Sequence, residues 1–158
     1  MNEINTLKEL LCISEEKYRK NTAFYLKDKG GAIYEVSYET FKSDCDCFGT
    51  ALIYELGAKD KNIAVFMANC YEWCVSYLAI TGGVGTAVPL DKELPCQELY
   101  NIIDFAEIEV IITDQIGYRT LSGNEERMKE LKVITVDVEE KERAYSFSEL
   151  LLKGKEHI

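Results

Sequence analysis

The sequence predicts an α/β fold: an open, mostly parallel sheet flanked by helices on both faces, preceded by an amino-terminal β-hairpin. Three observations carry this. Four short runs, NIAVFM (Asn62–Met67), TAVPL (Thr86–Leu90), EVIIT (Glu109–Thr113) and KVITVD (Lys132–Asp137), are rich in β-branched residues and apolar without alternation, as strands covered on both faces are. Segments of helical periodicity lie between them, and strand–helix–strand alternation implies right-handed crossovers within one sheet. Ahead of these, TAFYLKDKGGAIYEVSY places β-formers on either side of Asp28-Lys29-Gly30-Gly31, which is hairpin chemistry.

The elements follow in order. Leu7, Leu10, Leu11 and Ile13 form the apolar side of a short lead-in helix within residues 1–22, with Asn5 or Thr6 as its cap. The hairpin covers Ala23–Ser37, and residues 38–137 hold the βα units. Ser37 caps the next helix, Glu39 lies in its first turn, and Phe41, Cys45, Phe48, Leu52 and Leu56 recur every three or four residues until Gly57 stops it. Tyr71–Val84 is a helix interrupted only by Glu72, Ser76 and Gly83, so burial on most sides is expected. Pro89 makes the Thr86–Leu90 strand short or ends it. Pro95 starts a helix to Ala106 that buries Leu99, Ile102, Ile103 and Ala106. A further helix is expected over Asn124–Leu131, and residues 138–158 read as an acidic turn, EEKE from Glu139, followed by a last helix around Phe147–Leu152. There is no internal repeat, low-complexity stretch or linker, so the 158 residues read as a single α/β domain.

Composition narrows the function. With 28 acidic and 18 basic residues, a formal charge of −10 repels phosphate backbones and anionic lipid surfaces, and argues against nucleic acid or membrane partners. No apolar run approaches the ~20 residues of a spanning helix. Glu3, Lys8 and Glu9 are not a signal sequence, so a cytoplasmic location is expected. The six cysteines, Cys12, Cys45, Cys47, Cys70, Cys74 and Cys96, are irregularly spaced and read as reduced, buried small apolar side chains. With no Cys-x-x-Cys pair and one histidine, His157 near the end, no metal site is expected.

Candidate chemistry is sparse. Thr81-Gly82-Gly83-Val84-Gly85-Thr86 suggests a phosphate loop, but such a loop lies between a strand and a following helix, whereas these glycines come at the end of a helix and before a strand. There they stop the helix and let backbones pack closely. Asn69, just past a strand end and before a helix, is the candidate contact residue for a nucleotide or other small ligand, although asparagine is also a common cap. Trp73 shares a helical stripe with Tyr77, Ile80 and Val84, as a core or interdomain anchor would. Asp91 and Glu93 form a carboxylate pair in a turn before a helix start, where the dipole favours negative charge, and Asp114 caps or turns the chain after a strand. A nucleophile triad lacks a histidine, and no catalytic residue is assigned.

The order of these features resembles the amino-terminal region of AMP-forming acyl-CoA synthetases, the adenylate-forming ligase family. The resemblance runs from Ala23 to Asp114 as a series: Ser-Tyr-x-x-Phe at Ser37, Leu-Gly at Leu56, Asn-x-x-Glu-Trp from Asn69 to Trp73, Gly-Gly, Val-Pro-Leu-Asp from Val88 to Asp91, Leu-Pro and a Glu-Leu helix. Glu-Trp with Val-Pro-Leu-Asp is most similar to the long-chain fatty acid branch. Lys59-Asp60-Lys61-Asn62 departs from the family's usual Gly-Asp before the third strand. The resemblance implies an ATP-dependent reaction in which a carboxylate becomes an acyl-adenylate and passes to CoA, with Mg²⁺ on the phosphates. It also implies that the Pro-Lys-Gly loop, the aromatic-Gly-x-Thr-Glu segment, the ribose-binding Asp and the catalytic Lys lie downstream. The expectation is therefore a scaffold piece of a longer fatty acid–CoA ligase, excised or truncated and inactive alone, whose partner is the remainder of its own chain. The alternatives are a flavodoxin-like small-ligand module using the strand ends near Asn69 and Asp91, and a non-catalytic interaction domain with an exposed apolar patch.

Overall fold

The computed structural model describes residues 4–139 and 142–158, so Glu3, Glu140 and Lys141 of the expected amino terminus and acidic turn lie outside the described residues. Helix α1 spans Leu7–Tyr18, capped by Thr6, whose side chain accepts from the Glu9 N–H. The hairpin strands β1 (Thr22–Lys27) and β2 (Ile33–Ser37) form a two-stranded antiparallel sheet of their own. Its turn is closed by Asp28, whose Oδ1 accepts from the N–H groups of Gly30 and Ala32, with Gly31 at φ 84°.

The second sheet has five parallel strands: β3 (Asn62–Phe66), β4 (Thr86–Pro89), β5 (Ile108–Thr113), β6 (Lys132–Thr135) and β7 (Tyr145–Ser146), in the order β4-β3-β5-β6-β7. Pro89 ends β4, an edge strand, where a missing N–H is tolerated. The unbroken apolar runs now have their reason. On β3, Ile63 and Val65 point to one face and Ala64 and Phe66 to the other; on β5, Val110 and Ile112 oppose Ile111. The first face is covered by α2 (Tyr38–Tyr54), α3 (Tyr71–Ala79) and α7 (Phe147–Glu156), the second by α4 (Cys96–Phe105) and α5 (Gln115–Ser122). A short α6 (Glu125–Met128) occupies part of the expected Asn124–Leu131 helix.

Ser37 caps α2 through the Thr40 N–H, and the chain leaves the helix through Gly57 at φ 59°. The carbonyls there are satisfied by Gly57 N to Ile53 O and Ala58 N to Leu52 O, while Lys132 Nζ donates to Leu56 O at 2.7 Å from the sheet side.

Three expectations change. The Tyr71–Val84 helix is α-helical only to Ala79 and finishes in a π-helical turn, Ile80–Val84, with Gly83 at φ 128°. As expected it is covered on most sides: none of residues 71–82 is exposed, its inner face packs on the sheet and α2, and Trp73 and Tyr77 are half-buried. Ser76 does not interrupt the buried surface but belongs to it, its hydroxyl bonded to the Glu72 carbonyl within the same helix. Two further elements, α5 and β7, have no clear signal in the sequence. The segment QIGYRTLSG is largely polar with a glycine near each end, and β7 is two residues long.

Candidate functional site

In this strand order the chain runs from β3 to β4 on one side and returns to β5 on the other, so the connections change direction between β3 and β5. In open α/β sheets the crevice beyond the carboxyl ends of such a strand pair is where ligands bind. Here the protein's own groups fill it. Thr113 Oγ1 donates to the Phe66 carbonyl at 2.7 Å, tying the two strand ends together. The Asp114 carboxylate accepts from Ile116 N at 3.1 Å and Gly117 N at 3.0 Å through Oδ1, and from Ala68 N at 3.0 Å through Oδ2. A side chain at Gly117 would strike Thr113 Oγ1 and come within 2.8 Å of the Phe66 carbonyl. The donors that a phosphate would use at the start of α5 are therefore already engaged.

Asn69 lies on this edge, exposed, in the bend between β3 and α3, and makes no hydrogen bond among the described residues. It is not the helix cap: that position falls to Cys70, extended at φ −153°, with no side-chain cap bond. Asp91 and Glu93 are exposed in the turn after β4, where Asp91 Oδ1 accepts from the Glu93 N–H. Trp73 stacks on Tyr77 at 5.2 Å between ring centroids and 11° between planes. In the glycine segment, Gly85 lies where a Cβ would overlap the Lys61 carbonyl oxygen, Asp60 N donates to Val84 O, and Lys59 Nζ donates to Gly83 O. This stretch joins a helix end to a strand start by backbone contact.

Below this edge, on the first face, the Tyr71 hydroxyl donates to Asp44 Oδ2 at 2.6 Å, pinning the first turn of α3 to α2. Burial holds the Asp44 carboxyl above its ordinary range against the opposing pull of the Tyr71 hydrogen bond and of Lys155, and burial likewise pushes the Tyr71 phenol up. Sequence reasoning missed this pair because nothing local couples a residue of one helix to the first residue of another.

The six thiols are free, but they are not uniformly buried as expected: Cys45 and Cys47 are, Cys74 and Cys96 are half-buried, and Cys12 and Cys70 are exposed. Cys12 lies on α1, which buries no residue, and Cys70 on a loop–helix junction. Burial pushes the Cys45 thiol up to about 12, and the half-covered sulfur of Cys70, on a residue otherwise exposed, is pushed up to about 11, the opposite of the shift that activates a cysteine nucleophile. Among the described residues no group of three or more His, Cys, Asp or Glu side chains is placed to hold a metal ion, and no helix is long and apolar enough to cross a membrane.

Two of the cavities lined by the described residues lie outside the β3–β5 crevice. One of about 820 Å³ lies between α5, α6 and β6, with Glu125, Glu139 and Glu142 facing Lys129 and Arg143. The other, about 380 Å³, is a groove between α1, α2 and the π-helical turn, lined by Leu11, Cys12, Cys45, Ile53 and Leu78 among others.

Comparison with solved structures places this architecture. The chain superposes on an anthranilate CoA ligase in complex with anthranoyl-AMP with a TM-score of 0.80 at 16% identity, covering 97% of this chain and 29% of the ligase. A coronafacic acid ligase from Pectobacterium brasiliense matches with a TM-score of 0.78 at 19% identity, over 94% of this chain and 29% of that one. A protein from Rhodopseudomonas palustris described as a long-chain-fatty-acid CoA ligase gives 0.77 at 14% identity, over 92% and 36%. At these identities the likeness carries the fold, and the chain spans about a third of its neighbours' length. A search of curated proteins gave no significant match. The family model for AMP-binding enzymes matches residues 14–156, which takes in every element from the carboxyl-terminal part of α1 through α7, and the chain therefore belongs to the AMP-binding enzyme family.

Proposed function

We propose that residues 1–158 are the amino-terminal scaffold portion of a larger AMP-binding domain, in an ATP-dependent, AMP-forming acid–thiol ligase. The parent enzyme activates a carboxylate as its acyl-adenylate and transfers the acyl group to CoA. The observation that carries this reading is the family match over residues 14–156. Similarity over 97% of this chain but 29% of an anthranilate CoA ligase supports it. The Val-Pro-Leu-Asp and Glu-Trp features favour a long-chain fatty acid as the acyl substrate.

ATP, Mg²⁺ and CoA serve the parent enzyme, where the nucleotide supplies the activating phosphoanhydride. No residue described in this chain is assigned to the metal, the start of α5 has the N–H groups of Ile116 and Gly117 engaged by Asp114, and in the glycine segment Gly85 N and Thr86 N donate to the Ile80 and Lys61 carbonyls. The role of this portion is to supply a sheet and helices against which the ATP and acyl sites are assembled, with Asn69 as its exposed contact residue on the carboxyl edge.

ATP–pyrophosphate exchange tests the division of labour. The chain alone is expected to give no exchange with fatty acids of any length, and the longer parent to give it with long-chain acids in preference to aromatic ones. Exchange by the isolated chain at the parental rate would overturn the scaffold reading. A parent selective for aromatic acids would overturn only the fatty acid assignment.

A further inference from the structure

We propose that Asp114 is a positioning residue whose carboxylate sets the shape of the β3–α3 loop, residues 67–70, and thereby the place at which Asn69 is presented on the carboxyl edge of the sheet. Its relevance to the parent reaction rests on the scaffold reading above. The geometry and its test stand on this chain alone.

The two oxygens of one carboxylate divide between two elements. Oδ1 takes the first free N–H groups of α5, from Ile116 and Gly117, and Oδ2 reaches across the crevice to Ala68 N at 3.0 Å. The Asp114 end of this link is rigid. Thr113 is paired with Phe66 on one side and Thr135 on the other, its carbonyl accepts from Val136 N, and the Asp114 carbonyl accepts from Tyr118 N. The Ala68 end is not self-supporting. Ala68 and Asn69 make no other hydrogen bond among the described residues, and Cys70 provides no side-chain cap for α3. Between Met67, buried in the core, and Cys70, whose carbonyl accepts from Cys74 N, the middle of the loop is thus held by one part-buried, charge-assisted bond to a neighbouring strand end, stronger than one between neutral partners. A cap for α5 alone needs one acceptor, which serine or asparagine would supply as well. The second oxygen is what aspartate adds, and Ala68 is what it reaches.

Amide hydrogen exchange by NMR separates positioning from capping. In Asp114→Ser the hydroxyl can still cap α5, and no second oxygen remains for Ala68. The Ala68 amide is expected to exchange faster by about tenfold or more, the equivalent of one lost charge-assisted bond, while Ile116 and Gly117 keep their protection. Asp114→Asn, which turns an NH₂ toward one of the two donors, is the second variant should the first fail to fold. In the unsubstituted chain, a coupling through the hydrogen bond from the Ala68 nitrogen to the Asp114 carboxyl carbon is expected. The proposal is overturned if that coupling is absent, if Ala68 exchange is unchanged in the folded variants, or if Ala68 accelerates only in step with the core amides of Ile111 and Ile112.

Discussion

Helix α2 is met from two sides in opposite ways. Against α7 it packs backbone to backbone: a Cβ at Gly154 would overlap the Cys47 carbonyl oxygen, and Phe48 and Phe147 meet at 4.3 Å between ring centroids. Against α1 and the hairpin, contact is made by the edges of side chains. No residue of α1 is buried, Val36 is the one buried residue of the hairpin strands, Leu11, Phe24 and Leu26 are only partly covered, and Leu7, Leu10, Tyr25, Ile33 and Tyr34 are exposed. Both regions carry apolar residues at regular spacing. What separates them is the small residue that lets one pair of backbones close, so periodicity alone does not report depth of burial.

The largest effect is expected from breaking the closed side. Gly154→Ala puts a methyl group where the Cys47 backbone lies, and a backbone atom cannot swing aside as a side-chain end can, so α7 must lift off α2 or the helices must bend. Overpacking of this kind costs about 1–3 kcal/mol where side chains yield, and more where they cannot. A midpoint in urea that falls by less than about 0.5 kcal/mol equivalent, the range of neutral surface changes, would show that the contact is slack.

This contrast also explains how much was legible. The four strands were readable because each apolar run is a local pattern, and Ser37 and Gly57 announced the two ends of α2 through cap chemistry within a few residues. Asp114 was visible as a cap or turn for the same reason, but its bond to Ala68 spans 46 residues and depends on β3 and β5 being neighbours. The same holds for Gly154 against Cys47 and for Asp44 against Tyr71: the sequence shows that a glycine, an acid or a phenol is present, and only the crossing of two helices makes it matter. Asn69 lies past the carboxyl end of β3, where the rule for open sheets puts it, while its expected alternative as a cap falls one position short, at Cys70.

A smaller effect sharpens the comparison from inside α2, where the polar pair Asp44–Tyr71 sits on the side facing α3. Removing the donor with Tyr71→Phe is expected to cost roughly 1–3 kcal/mol, because it leaves a part-buried carboxylate without its bond. The pH dependence has a defined sign. The Asp44 carboxyl is held above its ordinary 3.8 in the folded state, chiefly by burial, so the folded protein favours the protonated form more than the unfolded chain does. Its contribution to stability is fully present below the unfolded value and is lost as pH rises through the folded one. Asp44→Asn keeps an acceptor for the Tyr71 hydroxyl without the charge. It is expected to match or exceed the parent stability at pH 7, and the difference should shrink as pH falls toward 4 in thermal melts of the two proteins. A difference that grows on acidification would show that the ionised form is the one the fold prefers.

The smallest effect belongs to the open side. Tyr25 and Ile33 are 70% and 66% exposed, on the outward face of the hairpin, two positions apart along the ladder, opposite Glu35 and Lys27. Since folding covers little of either side chain, Tyr25→Ser with Ile33→Thr should change stability by no more than about 0.5 kcal/mol per site. Threonine retains the β-branching that suits a strand, and the hairpin turn closed by Asp28 is left untouched. In the scaffold reading, however, apolar groups left uncovered on this portion are where the remainder of the parent chain would pack. The same double substitution made in the longer enzyme should then cost more than in residues 1–158, and equal loss in the two contexts would show that this hairpin face stays in solvent in both.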